Sequence, residues 1–321
     1  MASENHPSQC RLSTRISLRW VPEPAFENTD TIVMSVAGWY VDLRVDKESG
    51  GIDWAIAGRR VVDDKDSSRV AFTHELDCRN SFDAVDCGTF SSLPNGDDLE
   101  EGEMPRADLP GCPVAQYEEV WRELKFRDGP EGHKGVSWVL ESKEQPLDEG
   151  EEVEVERTFI GRIWGTYLAL RQLQVHSRPK GSATTIVKEG KDVSARREEW
   201  NASGWRVKHS LGADALPSMN DIEDGSWKLG QTVTVAEKEY TVRAFESLRY
   251  VTSSIYRLFY MLTARCSERS GIWPCQRSCP QWPGWPPSWG APRSKGGRSS
   301  GQPTRASRGS RWGLRSGNLP A

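Results

Sequence analysis

Histidine and cysteine are the side chains best able to ligate a metal or attack a substrate, and this chain has five histidines and seven cysteines in 321 residues. His6, His74, His133, His176 and His209 never stand three or four residues apart, so no helical face offers two imidazoles to one metal. His74-Glu75 lacks the second histidine of a zincin pattern. His74 with Cys78 or Cys87 would make a Cys/His pair, but no third residue that would orient the base stands out, and a structural role is the plainer reading. Cys266, Cys275 and Cys279 lack zinc spacing. Gly-x-Ser-x-Gly, P-loop and Gly-x-Gly-x-x-Gly patterns are absent. Carboxylates crowd residues 149–156 and 100–103, where they read as solvated faces or loops rather than an acid/base pair. The chemistry therefore points to a non-enzymatic protein with no cofactor and no metal.

Binding chemistry is the alternative. Trp39, Tyr40, Tyr167 and Trp200, with Trp20, Trp54, Trp138 and Trp205, fall on strand-like stretches. Their rings either fill barrel cores or wall a cup for a small ligand. Arg44 and Arg171 occupy matching places in a repeated motif, suited to a structural salt bridge or to an anionic group at a barrel mouth. Ser226 follows Glu223 by three residues, a context accepted by acidophilic kinases, and Ser91 and Ser92 ahead of Asp97-Asp98 are a second such place.

The repeat sets the architecture that must position these groups. Gly38-Trp39-Tyr40-Val41-Asp42-Leu43-Arg44 returns as Gly165-Thr166-Tyr167-Leu168-Ala169-Leu170-Arg171, a Gly-x-Tyr-apolar-x-Leu-Arg signature. Upstream, Trp20-Val21-Pro22-Glu23 matches Trp138-Val139-Leu140-Glu141 at offsets of 118 against 127, a difference assigned to a loop. One β-rich unit used twice follows. Period-two alternation marks strands around Ile16–Trp20, Thr31–Val36, Trp39–Val45, Ile52–Ile56, Arg69–Glu75, Ser137–Glu141, Val153–Val155, Ile163–Val175, Val193–Trp200, Trp205–His209, Thr232–Val235 and Tyr240–Phe245. Gln116–Phe126 fits helical spacing, but its strand-rich neighbours favour a closing strand. Asn80–Gly111, rich in Gly, Pro and acid, reads as a long exposed loop.

Many short strands punctuated by Gly and Pro predict an all-β fold of two tandem antiparallel barrels, since closure removes exposed edges. The expected units are residues 13–129 and 130–248, after a disordered stretch 1–12. From Arg249 onward twelve basic residues face one acidic, leaving a net of −15 in 1–248. The acidic body argues against nucleic-acid binding there. Residues 249–321 read as one helix followed by a disordered basic tail, with the composition of a frameshifted or read-through extension. No signal peptide or stretch of ~18 consecutive apolar residues is visible, and unpaired cysteines suit a reducing compartment.

Ile16-Ser17-Leu18-Arg19-Trp20, Tyr117-Glu118-Glu119-Val120-Trp121-Arg122, Phe159-Ile160-Gly161-Arg162, Ser194–Trp200 and Tyr240–Glu246 occur in an order that resembles a small fungal family named for interaction with casein kinase I. The resemblance spans residues 13–248. It implies two lipocalin-like barrels, a cytoplasmic and nuclear location and an adaptor role with a casein kinase I as partner; the family assigns no catalytic residue to carry over. A lipocalin-like carrier of a small apolar ligand is the alternative function.

Overall fold

The computed structural model describes residues 10–247, apart from 85, 107, 133, 134, 145 and 224. The expected leader, the expected helix at 249–262 and the basic tail lie outside the described residues, save that Cys10–Leu12 already belong to the first strand. Among the described residues there is no α-helix, and a single 3-10 turn, Met219–Asp221, interrupts the strands.

The first nine strands are β1 (Cys10–Trp20), β2 (Thr29–Val36), β3 (Trp39–Asp46), β4 (Ile52–Val62), β5 (Arg69–Phe72), β6 (Leu76–Asp77), β7 (Asp86–Ser92), β8 (Asp98–Pro105) and β9 (Val114–Glu123). They order as β3-β2-β1-β9-β8-β7-β5-β4, and β3 pairs back onto β4, so eight antiparallel strands close a barrel, with the short β6 added along β4. The remaining strands are β10 (Val136–Ser142), β11 (Glu152–Ile163), β12 (Thr166–Ser177), β13 (Ile186–Asn201), β14 (Gly204–Leu211), β15 (Thr232–Val235) and β16 (Lys238–Ser247). These form a second antiparallel sheet of order β14-β13-β12-β11-β10-β16-β15, in which β14 and β15 do not pair with each other.

Hairpin turns anchor the repeat. Val36 pairs with Trp39 around Ala37-Gly38, both at positive φ (46° and 81°), the geometry that matches strand twist in a two-residue turn. Ile163 pairs with Thr166 around Trp164-Gly165, where Trp164 alone has a positive φ, 52°. Cys10 lies opposite Val36 and Ser137 opposite Ile163, so one constant offset of 127 residues (163−36 and 137−10) relates the two units. On that register the counterpart of Trp138 is Arg11, and the Trp20 and Trp138 tetrads are not equivalent. Their similarity was a coincidence of sequence, with no loop absorbing a difference.

Asn80–Gly111 corrects the loop expected there, because it holds β7 and β8. Acidic and glycine-rich segments make poor strands by propensity. Here, β8 is held between β7 and β9, and inward-facing Glu100 finds donors inside the barrel.

The apolar faces do not fill the barrel. The residues of β1–β4 that alternate outward, such as Leu12, Met34, Val41, Leu43 and Ala57, pack against one face of the second sheet at Val139, Phe159, Ile163, Leu168 and Leu170. Gly161 admits this approach: a Cβ there would sit 3.3 Å from Met34 Sδ and 3.4 Å from Val41 Cγ2. The other face of the second sheet carries Trp138, Ile160, Tyr167, Tyr240 and Val242. Where a closing strand would lie, residues 212–231 supply Leu216, Met219 and Ile222 as a plug. Tyr167 donates to Pro217 O at 2.7 Å, and Glu198 accepts from Met219 N at 3.1 Å, tying the plug to β12 and β13.

Candidate functional site

The inversion of the first barrel creates the candidate site. Because Val41, Leu43 and Val45 face the second sheet, period two turns Tyr40, Asp42 and Arg44 into the barrel. Glu119 arrives from β9, Arg15 from β1, Trp54 from β4 and Glu100 from β8. Asp42 Oδ2 accepts from Arg44 Nε at 3.1 Å and Nη2 at 3.0 Å. Glu119 Oε1 accepts from Arg15 Nη1 at 2.6 Å and Arg44 Nη1 at 3.3 Å. Arg15 continues to Glu27 at 2.8 Å. The Arg44 guanidinium also lies over Trp54, 4.6 Å from the ring centroid, and over Trp121 at 5.5 Å.

This network leaves a cavity of about 90 Å³ in the barrel. Arg11, Arg60, Asp98 and Glu123 stand at the end near the β2–β3 turn, while Leu18, Trp20 and Tyr117 pack together towards the other end. Glu100 accepts from Tyr117 Oη at 2.9 Å and Trp121 Nε1 at 2.8 Å. Burial, together with the charges of Glu119 and Asp86, pushes the Glu100 carboxyl far above the usual carboxylate range. Burial also raises Asp42, whose Oδ1 is buried with no hydrogen-bond donor.

A second ionic cluster sits beside the barrel. His74 reaches Asp77 Oδ2 at 2.9 Å through Nδ1 and Asp86 Oδ2 at 3.2 Å through Nε2. Burial alone would lower its pKa, but these two carboxylates outweigh burial and raise it to about 9. Neither cysteine engages it. Cys78 accepts from Ala55 N and has its thiol pushed up by burial, and Cys87 accepts from Arg69 Nε. Asp77 takes Trp54 Nε1 at 2.9 Å, and its backbone exchanges hydrogen bonds with Gln172 of β12, so the cluster braces barrel against sheet. Among the described residues, no group of three or more His, Cys, Asp and Glu has the geometry to hold a metal ion.

The structure disperses the residues singled out in the sequence. Tyr40 and Arg44 line the cavity, Tyr40 donating to Thr73 O at 2.9 Å. Trp39 instead lies between barrel and sheet, stacked on Phe159 at 6.2 Å with Arg59 and Arg243 over it at 5.7 and 5.3 Å. Tyr167 is buried on the plug side of the second sheet. Arg171 pairs with Glu156 and lines a separate pocket of about 290 Å³ with Lys238, Tyr240 and the plug. Trp200 packs edge-on against Trp205 across the β13–β14 hairpin, 5.6 Å between centroids. Ser226 is exposed, between the 3-10 turn and β15.

Sequence reasoning missed Asp42, Glu119, Arg15 and Glu100. For Asp42 a signal existed: Tyr40, Asp42 and Arg44 form one face of a strand whose other face is apolar. Only the packing tells which of the two faces is inside the barrel. Glu100 carried no signal, being one acid among several in a glycine-rich stretch.

A search of curated proteins gives no match. Among solved structures, an uncharacterised Saccharomyces cerevisiae protein, YLR301w, is similar in fold, with a TM-score of 0.50 and 18% identity over 74% of this chain and 99% of that one. The family model described as Protein HRI1 matches residues 11–243, nearly the whole of the barrel and sheet described above, and the chain belongs to the HRI1 family.

Proposed function

We propose that this protein is a non-enzymatic interaction protein whose partner is a casein kinase I, in the cytoplasm and nucleus, and that the kinase phosphorylates it at Ser226. The observation that carries the reading is the setting of Ser226: it and Glu223 are both exposed in the irregular segment leading to β15, a stretch of backbone not committed to a sheet. A kinase cleft needs such accessible backbone, and an acidic residue three positions upstream suits an acidophilic enzyme. Ser91 and Ser92, also exposed, lie on β7 within the barrel sheet, a worse presentation. No turnover is expected, because both His74 nitrogens are engaged by carboxylates and the Arg15 and Arg44 guanidiniums are held by Glu119 and Asp42.

The test uses the full chain as bait in fungal cytosol, with purified casein kinase I and labelled ATP in parallel. Capture of the kinase, with label lost in Ser226→Ala, supports the proposal. Absence of capture together with unchanged label in Ser226→Ala removes it. The cavity in the first barrel favours a second reading, a small-molecule binder. Its charged walls fit an apolar cargo poorly.

A further inference from the structure

The cavity in the first barrel contains a buried acceptor with nothing to accept. Asp42 is 3% exposed; its Oδ2 takes both hydrogen bonds from Arg44, and its Oδ1 has no donor. A buried carboxylate oxygen without a partner is costly, and native structures seldom leave one so. Asp42 is among the residues lining the cavity, whose volume of about 90 Å³ has room for several small-molecule atoms and is less than the roughly 150 Å³ of a cavity that takes benzene.

Two features of the walls define what fits. The cavity is lined by six carboxylates (Asp42, Asp86, Asp98, Glu100, Glu119 and Glu123) against three guanidiniums, those of Arg11, Arg44 and Arg60. It is also lined by aromatic rings, and two of them, Trp54 and Trp121, already hold a cation on their faces in the form of Arg44. A carboxylate oxygen without a donor, set among aromatic faces, favours a positive guest carrying N–H donors and a short apolar stem. An anion would be repelled by Asp42, and a purely apolar guest would leave Oδ1 unsatisfied.

We propose that this cavity binds a short-chain primary ammonium ion, its N–H donating to the free Oδ1 of Asp42 and its methylenes against the rings of Tyr40, Trp54 and Trp121. Burial, with the charges of Glu119 and Asp86 added to it, raises the Glu100 carboxyl, and a cation bound beside it would favour the charged form. The binding is independent of the kinase reading and survives its failure.

Ethylammonium chloride is the probe, titrated into the full-length protein and followed by the indole N–H signals of Trp54 and Trp121 in ¹H–¹⁵N spectra. Sodium chloride and ethanol serve as controls for ionic strength and for the apolar stem. Saturable shifts of both indoles with ethylammonium alone are expected, and Asp42→Asn is expected to weaken the affinity at least tenfold, equivalent to about 1.4 kcal/mol. Because Asp42→Asn also disturbs Arg44, Glu100→Gln provides a second variant with Asp42 intact; compared at pH 9, above the raised pKa of about 8 at which Glu100 ionises, a severalfold weaker affinity is expected. Identical responses to all three solutes, or no saturable shift, overturn the proposal and leave a cavity filled by water.

Discussion

His74 shows how a single residue makes stability depend on pH. Its folded pKa, raised to about 9, lies above the ordinary value of 6.5, because Asp77 and Asp86 hold the imidazolium. A base with a raised folded pKa contributes stability that is complete below the unfolded pKa and is lost as pH rises through the folded one. Thermal midpoints should therefore fall between about pH 6.5 and 9, with up to about 3 kcal/mol at stake. His74→Gln should flatten that slope while destabilising the protein below pH 6.5; an unchanged slope in the variant would assign the dependence elsewhere. Glu100 adds to the same decline. Its folded pKa is raised, so the unfolded state deprotonates first and stability declines as pH rises above the ordinary carboxylate range. Glu100→Gln mimics the protonated carboxyl and should stabilise the protein near pH 8 by about 1–3 kcal/mol, with little effect near pH 4. Denaturant midpoints at the two pH values decide it. Neither residue could be assigned this role from sequence, because each owes its ionisation to partners brought together only by the fold.

Most strands were legible as elements, because period-two alternation survives wherever one face is buried. Thr232–Val235 coincides with β15, and the hairpin of β2 and β3 follows the alternation through its turn at Ala37-Gly38. The failures share one cause. β7 and β8 face a polar barrel interior: β8 sets Asp98, Glu100 and Gly102 against Glu101 and Glu103, and β7 mixes Asp86, Gly88 and hydroxyl residues, so no hydrophobic pattern reveals either. Glycines in strands mark such places of close approach. At Gly58 of β4 a Cβ would lie 2.0 Å from Thr73 O, the carbonyl that accepts the Tyr40 hydroxyl. That obstacle is backbone and cannot rotate aside. Gly58→Ala should thus destabilise by about 1–3 kcal/mol, the range of overpacked sites, and loosen Tyr40 at the cavity wall. Gly96→Ala, with no atom within 4 Å of its Cβ but with φ of +88°, separates steric collision from backbone strain: it should lose less. Equal losses by urea unfolding would show that collision at Gly58 is not the cause.

At the scale of the molecule, the repeat suggests two independent barrels, yet the main apolar core belongs to neither unit alone. Every strand of the barrel pairs within β1–β9 and every strand of the second sheet within β10–β16, so cutting the chain between them breaks no ladder hydrogen bond. The core cluster between them, however, draws eleven buried residues from the first unit and seven from the second. Met34, Val41, Leu43, Phe159, Leu168 and Leu170 are all fully buried and would face water once the halves part. At roughly 1.5–3 kcal/mol for each large side chain, the exposed surface is comparable with the whole stability of a domain. The barrel interior cannot compensate, because charge pairs fill it and buried pairs are a weak source of net stability. Asp30 of β2 adds an ionic tie to Arg197 and Lys208 and a hydrogen bond with His209 on β13 and β14, partners that outweigh burial and lower its carboxyl far below the ordinary range. Halves divided at Gly129–Gly132 should therefore fail to fold separately, each giving poorly dispersed amide spectra and aggregation, while co-expression should restore a one-to-one complex that elutes as the intact chain. If either half alone is monomeric with a dispersed spectrum, the shared core is not what stabilises it, and the units are independent after all.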